Sequence, residues 1–165
     1  MMTSSKKIVI LGHFGVGKTS LLRRFVDNQF SEDYIVTIGV QIKKKNVTLD
    51  NGNEIALILW DLEGNTTIKK ARSSYLLGAS SFIYVFDASR IETYKDVNEE
   101  IAYLKTLFPE ALIQTVGNKS DLVELEDLKK SLESINIHPD IFTSAKTGTH
   151  VEDLFKSIAE ALDND

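Results

Sequence analysis

The sequence predicts an α/β domain: a six-stranded, mostly parallel sheet with one antiparallel edge strand and about five helices on both faces. Three observations carry this. Strand-length apolar runs alternate with helix-like stretches along the whole chain. Two of those runs are joined by Asp50-Asn51-Gly52-Asn53, a tight-turn sequence that makes its strands antiparallel. The first run passes through a glycine-rich octapeptide directly into a helix-like segment, the strand–loop–helix unit of doubly wound sheets.

The elements follow in order. A buried strand is expected at 6–11, and a helix at 18–27 built on Leu21, Leu22, Phe25 and Val26. Strands at 40–49 and 54–60 flank the tight turn; Lys43-Lys44-Lys45 would guard the first as an exposed edge. Helix 66–77, strand 80–87 and helix 92–107 come next, the last closed by Pro109. Strand 112–117, helix 125–135 and strand 140–143 precede a final helix at 150–162, which Thr149-His150-Val151-Glu152 would open as a capping box. Trp60 is expected in the core, and His138 and His150 at the surface.

A chain of 165 residues suits one domain, expected over 6–162 after a short tail at 1–5. No apolar run approaches the length of a membrane span. Met1-Met2-Thr3-Ser4-Ser5 is too short and polar for a signal peptide and lacks a myristoylation glycine. The absence of cysteine removes disulfides, zinc thiolates, thiol catalysis, prenylation and palmitoylation. With an acidic end at Ala161–Asp165 and no basic tail, the expectation is a cytoplasmic monomer with no direct membrane anchor. The net charge of −5 argues against general affinity for nucleic acid or anionic lipid.

Gly12-His13-Phe14-Gly15-Val16-Gly17-Lys18-Thr19 is a complete phosphate loop. Its glycines let successive N–H groups converge on phosphate oxygens, including those of Gly15, Val16, Gly17 and Ser20 at the helix start. The helix N-terminus adds partial positive charge. Lys18 can neutralise the β and γ oxygens, and the Thr19 hydroxyl is a hard ligand for Mg²⁺. The His13 side chain is expected to point away from the phosphates.

Asp61-Leu62-Glu63-Gly64 ends a second apolar run, so Asp61 emerges at the carboxyl edge of the sheet, where it can hold Mg²⁺ through water. Gly64 can bring its N–H to the γ-phosphate. Asn118-Lys119-Ser120-Asp121 follows a third run. Asp121 can accept from guanine N1–H and N2–H, donors that adenine lacks, so discrimination could reach ~10⁴-fold. Asn118 can bridge base and loop, and the Lys119 stem can cover the base face. The Ala145 N–H can donate to guanine O6, with Ser144 and Lys146 tightening its turn.

With these four segments in this order, the chain resembles a small GTPase of the Ras superfamily, most closely the Rab branch. The resemblance runs from Lys6 to Leu162 and includes Tyr34–Gly39, Ser73–Ala79 and Thr143–Gly148. It implies a P-loop NTPase (small GTPase) fold, with GTP or GDP as ligand and Mg²⁺ as cofactor. Effector, exchange-factor and activating proteins are the implied partners. It also implies that Phe30 packs against the guanine and that Thr37 is the switch I threonine, completing the Mg²⁺ shell when a γ-phosphate is present.

Three departures surround the reaction centre. Asn65 stands where most relatives carry a water-orienting glutamine, and its amide falls short by roughly 1.5 Å. Glu63 replaces a small residue beside the γ-phosphate, and Phe14 replaces glycine or another small residue. Asn65, Lys18 and Thr37 are the candidate catalytic residues. An arginine in cis is open to Arg23, Arg24, Arg72 or Arg90. The leading expectation is a GTP-binding switch that hydrolyses GTP slowly and signals through switch I, at Thr37, and switch II, whose atypical sequence is Asp61-Leu62-Glu63-Gly64-Asn65. A constitutively GTP-loaded binding module is the alternative, and a P-loop phosphotransferase is a third reading that leaves Asn118–Asp121 without a purpose.

Overall fold

A computed structural model describes residues 3–31, 39–62, 68, 69, 71 and 73–163. Six strands form one sheet in the order β2-β3-β1-β4-β5-β6: β1 (Ser4–Gly12), β2 (Val40–Thr48), β3 (Glu54–Leu62), β4 (Ser81–Asp87), β5 (Leu112–Asn118) and β6 (Ile141–Phe142). Among the described residues only the β2–β3 pair is antiparallel. Its turn is fixed as expected: Gly52 sits at φ 87°, and the Asn51 side-chain oxygen accepts from the Asn53 N–H at 2.9 Å.

Among the described residues five helices accompany the sheet: α1 (Lys18–Asp27), α2 (Ser73–Leu76), α3 (Val97–Leu107), α4 (Leu125–Ser134) and α5 (Val151–Asp163). The buried residues fall into two clusters. One joins α1 and α5 to the sheet and centres on the stacked rings of Phe25 and Phe155, 4.0 Å apart. The other gathers Phe82, Phe86, Leu104, Leu128 and Leu132 with the packed edge of Trp60. Trp60 is thus half-buried at the margin of that cluster instead of enclosed.

Several boundaries differ from the sequence reading. β1 begins at Ser4, because Ser4 and Ser5 pair with Ile55 and Ala56. Helix α2 spans four residues; Ile68, Lys69 and Ala71 lie in turns, where the Ile68 N–H is 3.4 Å from the Glu100 carboxylate. The stretch before α3 is a short 3-10 turn at Ile91–Thr93, held by the Thr93 hydroxyl, which accepts from the Asp87 N–H and lies 2.7 Å from the Arg90 carbonyl. The capping box at α5 does not form. Thr149 pairs its hydroxyl with that of Thr147, and His150 precedes the helix at φ 58°. The lysine run of β2 is also less free than an edge guard: Lys43 reaches Asp27, and Lys45 lies over the Phe25 ring.

The strand order reverses across β1, with α1 leaving its carboxyl end. The parallel strands carry Gly12, Asp61, Asp87, Asn118 and the segment after Phe142 to that same edge. A doubly wound sheet holds its ligands there.

Candidate functional site

The loop between β1 and α1 is held from outside by its carbonyls. The Lys18 ammonium lies 3.2 Å from the Gly12 carbonyl and 3.3 Å from that of His13. An Arg90 N–H donates to the Phe14 carbonyl at 2.9 Å, and the Lys119 ammonium to that of Gly15 at 2.7 Å. The Asn118 amide donates to the Val16 carbonyl at 3.0 Å, and the Leu21 N–H to that of Gly17 at 2.8 Å. Six consecutive carbonyls are therefore satisfied, and a loop bound along its carbonyl edge presents its amide edge to an anion.

Two glycines have no substitute here. A Cβ on Gly12 would lie 2.2 Å from the Val85 carbonyl, and one on Gly17 would lie 2.4 Å from the Asn118 amide nitrogen. Gly17 also sits at φ 98° and Gly15 at φ 74°, where side chains are strained. The loop thus lies close enough to β4 and β5 to be shaped by them.

Lys18 is only 6% exposed, and burial pushes its ammonium down to about 8, against an upward pull from Asp61. An arriving phosphate would give this dehydrated cation the counter-charge that carbonyls alone do not supply. The Thr19 hydroxyl donates to an Asp61 oxygen at 2.6 Å, and both residues are buried. Two hard oxygen ligands in contact at the foot of the phosphate loop fit a site that could hold Mg²⁺. Ser20 follows, half-buried in α1.

At the other end a chain of hydrogen bonds links Asn118, Thr143, Ser144 and Asp121. Asn118, 1% exposed, accepts from the Thr143 hydroxyl at 3.0 Å and from the Ala145 N–H at 3.3 Å. The Ser144 hydroxyl donates to Asp121 at 2.7 Å, and the Thr147 N–H donates to the Ser144 hydroxyl oxygen at 3.1 Å. Lys119 adopts φ 61°, which turns its stem back toward the phosphate loop. Phe30 packs, half-buried, against the α1–α5 core.

The structure therefore draws Gly15–Ser20, Asp61, Asn118, Lys119, Asp121 and Ser144–Lys146 into one region, although they come from four separated segments. The family model for the Ras family matches residues 7–164. The chain belongs to the Ras family. It is a small GTPase of the Ras superfamily: a GTP-binding switch protein with the P-loop NTPase fold, from a family that binds GTP and GDP, typically with Mg²⁺.

Thr37, Glu63, Gly64, Asn65 and Arg72 lie outside the described residues. Phe14 is about half exposed, its carbonyl held by Arg90. Two arginines considered as donors in cis are engaged elsewhere: Arg90 on the outer side of the phosphate loop, and Arg24 at the Ala145 turn.

Sequence reasoning gave no role to Asp87, Thr143 or the Arg24 fork. Asp87, 1% exposed, joins two of the three cations that hold the phosphate loop: Arg90 at 3.0 Å and Lys119 at 3.1 Å. Burial alone would raise its carboxyl, yet bonds from Ser89, Arg90 and Lys119 hold it below the usual carboxylate range. The available signal was its position: like Asp61, it is an acid ending an apolar run at the carboxyl edge. Among the described residues no helix is long and apolar enough to cross a membrane.

Proposed function

We propose that this Ras-family protein is a guanine-nucleotide switch with slow intrinsic hydrolysis, most like the Rab branch, acting through one nucleotide-binding domain over residues 6–162. The observation that carries the nucleotide site is the loop whose six carbonyls are bound from outside, joined through Asn118 to the base-reading turn. Gly15, Val16, Gly17 and Ser20 supply N–H groups to the phosphates, and Lys18 neutralises the β and γ oxygens. Thr19, Asp61 and, in the triphosphate state, Thr37 would hold Mg²⁺, which would supply neutralising charge to the phosphates. Asp121 reads guanine N1–H and N2–H, the Ala145 N–H, shared with the Asn118 oxygen at 3.3 Å, reads O6, and Phe30 and the Lys119 stem flank the ring. Asn118, Ser144 and Lys146 hold that geometry.

Hydrolysis is slow on this reading because Asn65 reaches too short to orient the attacking water, and small misplacements carry large rate factors. Glu63 adds negative charge beside the γ-phosphate, and Phe14 takes space that the water-positioning amide needs. Loss of the γ-phosphate would release Thr37 and Gly64 and relax both switches. A face made by β2, β3 and α2 supports an effector role. Ile42, half exposed, pairs with Trp60, and Tyr75 lies 6.1 Å from the Trp60 ring. Lys7 stacks on the same ring at 3.7 Å and donates to the Leu77 carbonyl. Net charge −5 offers no general attraction to anionic lipid or nucleic acid, in keeping with a monomer in the cytoplasm that meets its targets through such protein contacts.

The test pairs the nucleotide content of the purified protein with single-turnover phosphate release from preloaded GTP in excess Mg²⁺. Slow release, accelerated more by the joint change Asn65→Gln and Phe14→Gly than by the product of the single changes, is expected. Release at the rate of an ordinary glutamine-bearing small GTPase would overturn the slow-hydrolysis reading. Protein that carries only GTP and releases no phosphate would favour the permanently loaded binding module.

A further inference from the structure

Arg24 lies in the last turn of α1, and its guanidinium spans to a turn 121 residues away. Its Nε donates to the Ala145 carbonyl at 2.7 Å and an Nη to the Lys146 carbonyl at 2.6 Å. These are short, charge-assisted bonds from one planar fork to two successive carbonyls. In a trans peptide the carbonyl and the following N–H point in opposite directions. Holding the Ala145 carbonyl toward α1 therefore turns the Lys146 N–H away from it. Holding the Lys146 carbonyl likewise fixes the Thr147 N–H, which donates to the Ser144 hydroxyl oxygen. The turn is thus set plane by plane from one side chain. Nearby, the position a Cβ would take on Gly148 lies 3.8 Å from the Arg24 side chain.

The same guanidinium reaches a second place. Its other Nη lies 3.3 Å from the Asn28 side-chain oxygen. Asn28 ends α1 at φ 51°, with its N–H on the Arg24 carbonyl. That left-handed residue aims the chain toward Phe30, two residues on, whose ring packs against the α1–α5 core.

We propose that Arg24 is a positioning residue for guanine recognition, holding the Ala145–Lys146 peptide so that its N–H faces the base O6, without itself touching the nucleotide. This rests on the guanine-nucleotide reading above. A long polar side chain would satisfy a merely structural role in α1; the fork on two adjacent carbonyls is what singles out the arginine. Because the turn bears on one edge of the base, the effect of losing Arg24 depends on whether the ligand carries O6. The phosphate end, tied to other residues, is unaffected.

The test is a ligand-by-variant cycle on the full chain in Mg²⁺. Affinities for GDP, for the 2-aminopurine riboside diphosphate (which lacks O6 and, with it, the N1–H) and for inorganic tripolyphosphate are measured on the parent and on Arg24→Gln. The variant is expected to bind GDP about ten- to hundredfold more weakly. Its affinities for the O6-lacking analogue and for tripolyphosphate should change less than about threefold. Arg24→Lys, which keeps the charge without the fork, should fall between and serves if the glutamine variant does not fold. Equal losses for all three ligands would show a general structural role and overturn the inference, as would unchanged GDP affinity. A parent protein that binds tripolyphosphate but not GDP would overturn the nucleotide reading itself.

Discussion

The two ends of the site are held by different physics. At the phosphate end, three cations donate to loop carbonyls, and a buried carboxylate pins two of them. At the base end, the contacts among Asn118, Thr143, Ser144 and Ala145 are amide, hydroxyl and backbone bonds, with Arg24 bracing the turn from behind. On the proposed reading, the phosphate end supplies most of the affinity through charge, while the base end discriminates through direction. A mis-set neutral bond costs less than a buried charge, yet it changes which ligand is accepted. Asn118 belongs to both ends, since its amide nitrogen serves the phosphate loop and its oxygen the base turn.

That division can be broken at either end. The largest effect is expected for Lys18→Ala, which removes the most deeply buried of the three cations. GDP and tripolyphosphate affinities should both fall about 10²- to 10³-fold, with the preference for guanine over xanthine unchanged, as titrations with each ligand would report. Next comes Asp121→Asn. GDP should bind about a hundredfold more weakly and xanthosine diphosphate more tightly, because an asparagine amide can donate to the xanthine O2 that the carboxylate repels. Tripolyphosphate binding should not move.

Smaller changes sharpen the comparison. Thr143→Val is nearly isosteric and deletes the hydroxyl that donates to Asn118. It should accelerate GDP release about fivefold in stopped-flow measurements and leave tripolyphosphate affinity intact. Arg90→Gln removes a partly exposed cation from the Phe14 carbonyl. It should weaken GDP and tripolyphosphate alike by about threefold, an effect that fades as salt is raised.

The contiguous parts of this site were legible in the sequence. The phosphate loop lies between the run that becomes β1 and the helix it starts, and the 50–53 turn carries its own glycine and asparagine. The parts that were not legible are made by long-range contacts. Arg24 meets Ala145 across 121 residues, and Arg90 meets Phe14 across 76, so neither partner marks the other in the chain. The start of α3 departs from its sequence pattern for a related reason. Residues 92–96 are compatible with a helix, but the Thr93 hydroxyl bonds at the end of β4 and holds the segment in a 3-10 turn. At α5, Thr149 and Glu152 have capping-box spacing, yet Thr147 offers the Thr149 hydroxyl a closer partner.

The measurement that bears most directly on this division is equilibrium binding of GDP and ADP to the same nucleotide-free protein in Mg²⁺. The two ligands share a diphosphate and differ only in the base, so the phosphate end treats them alike. GDP is expected to bind about 10³-fold or more tightly, the difference arising from Asp121 and the Ala145 turn. Equal affinities would contradict the account, because the base end would then be holding its shape without reading the ligand.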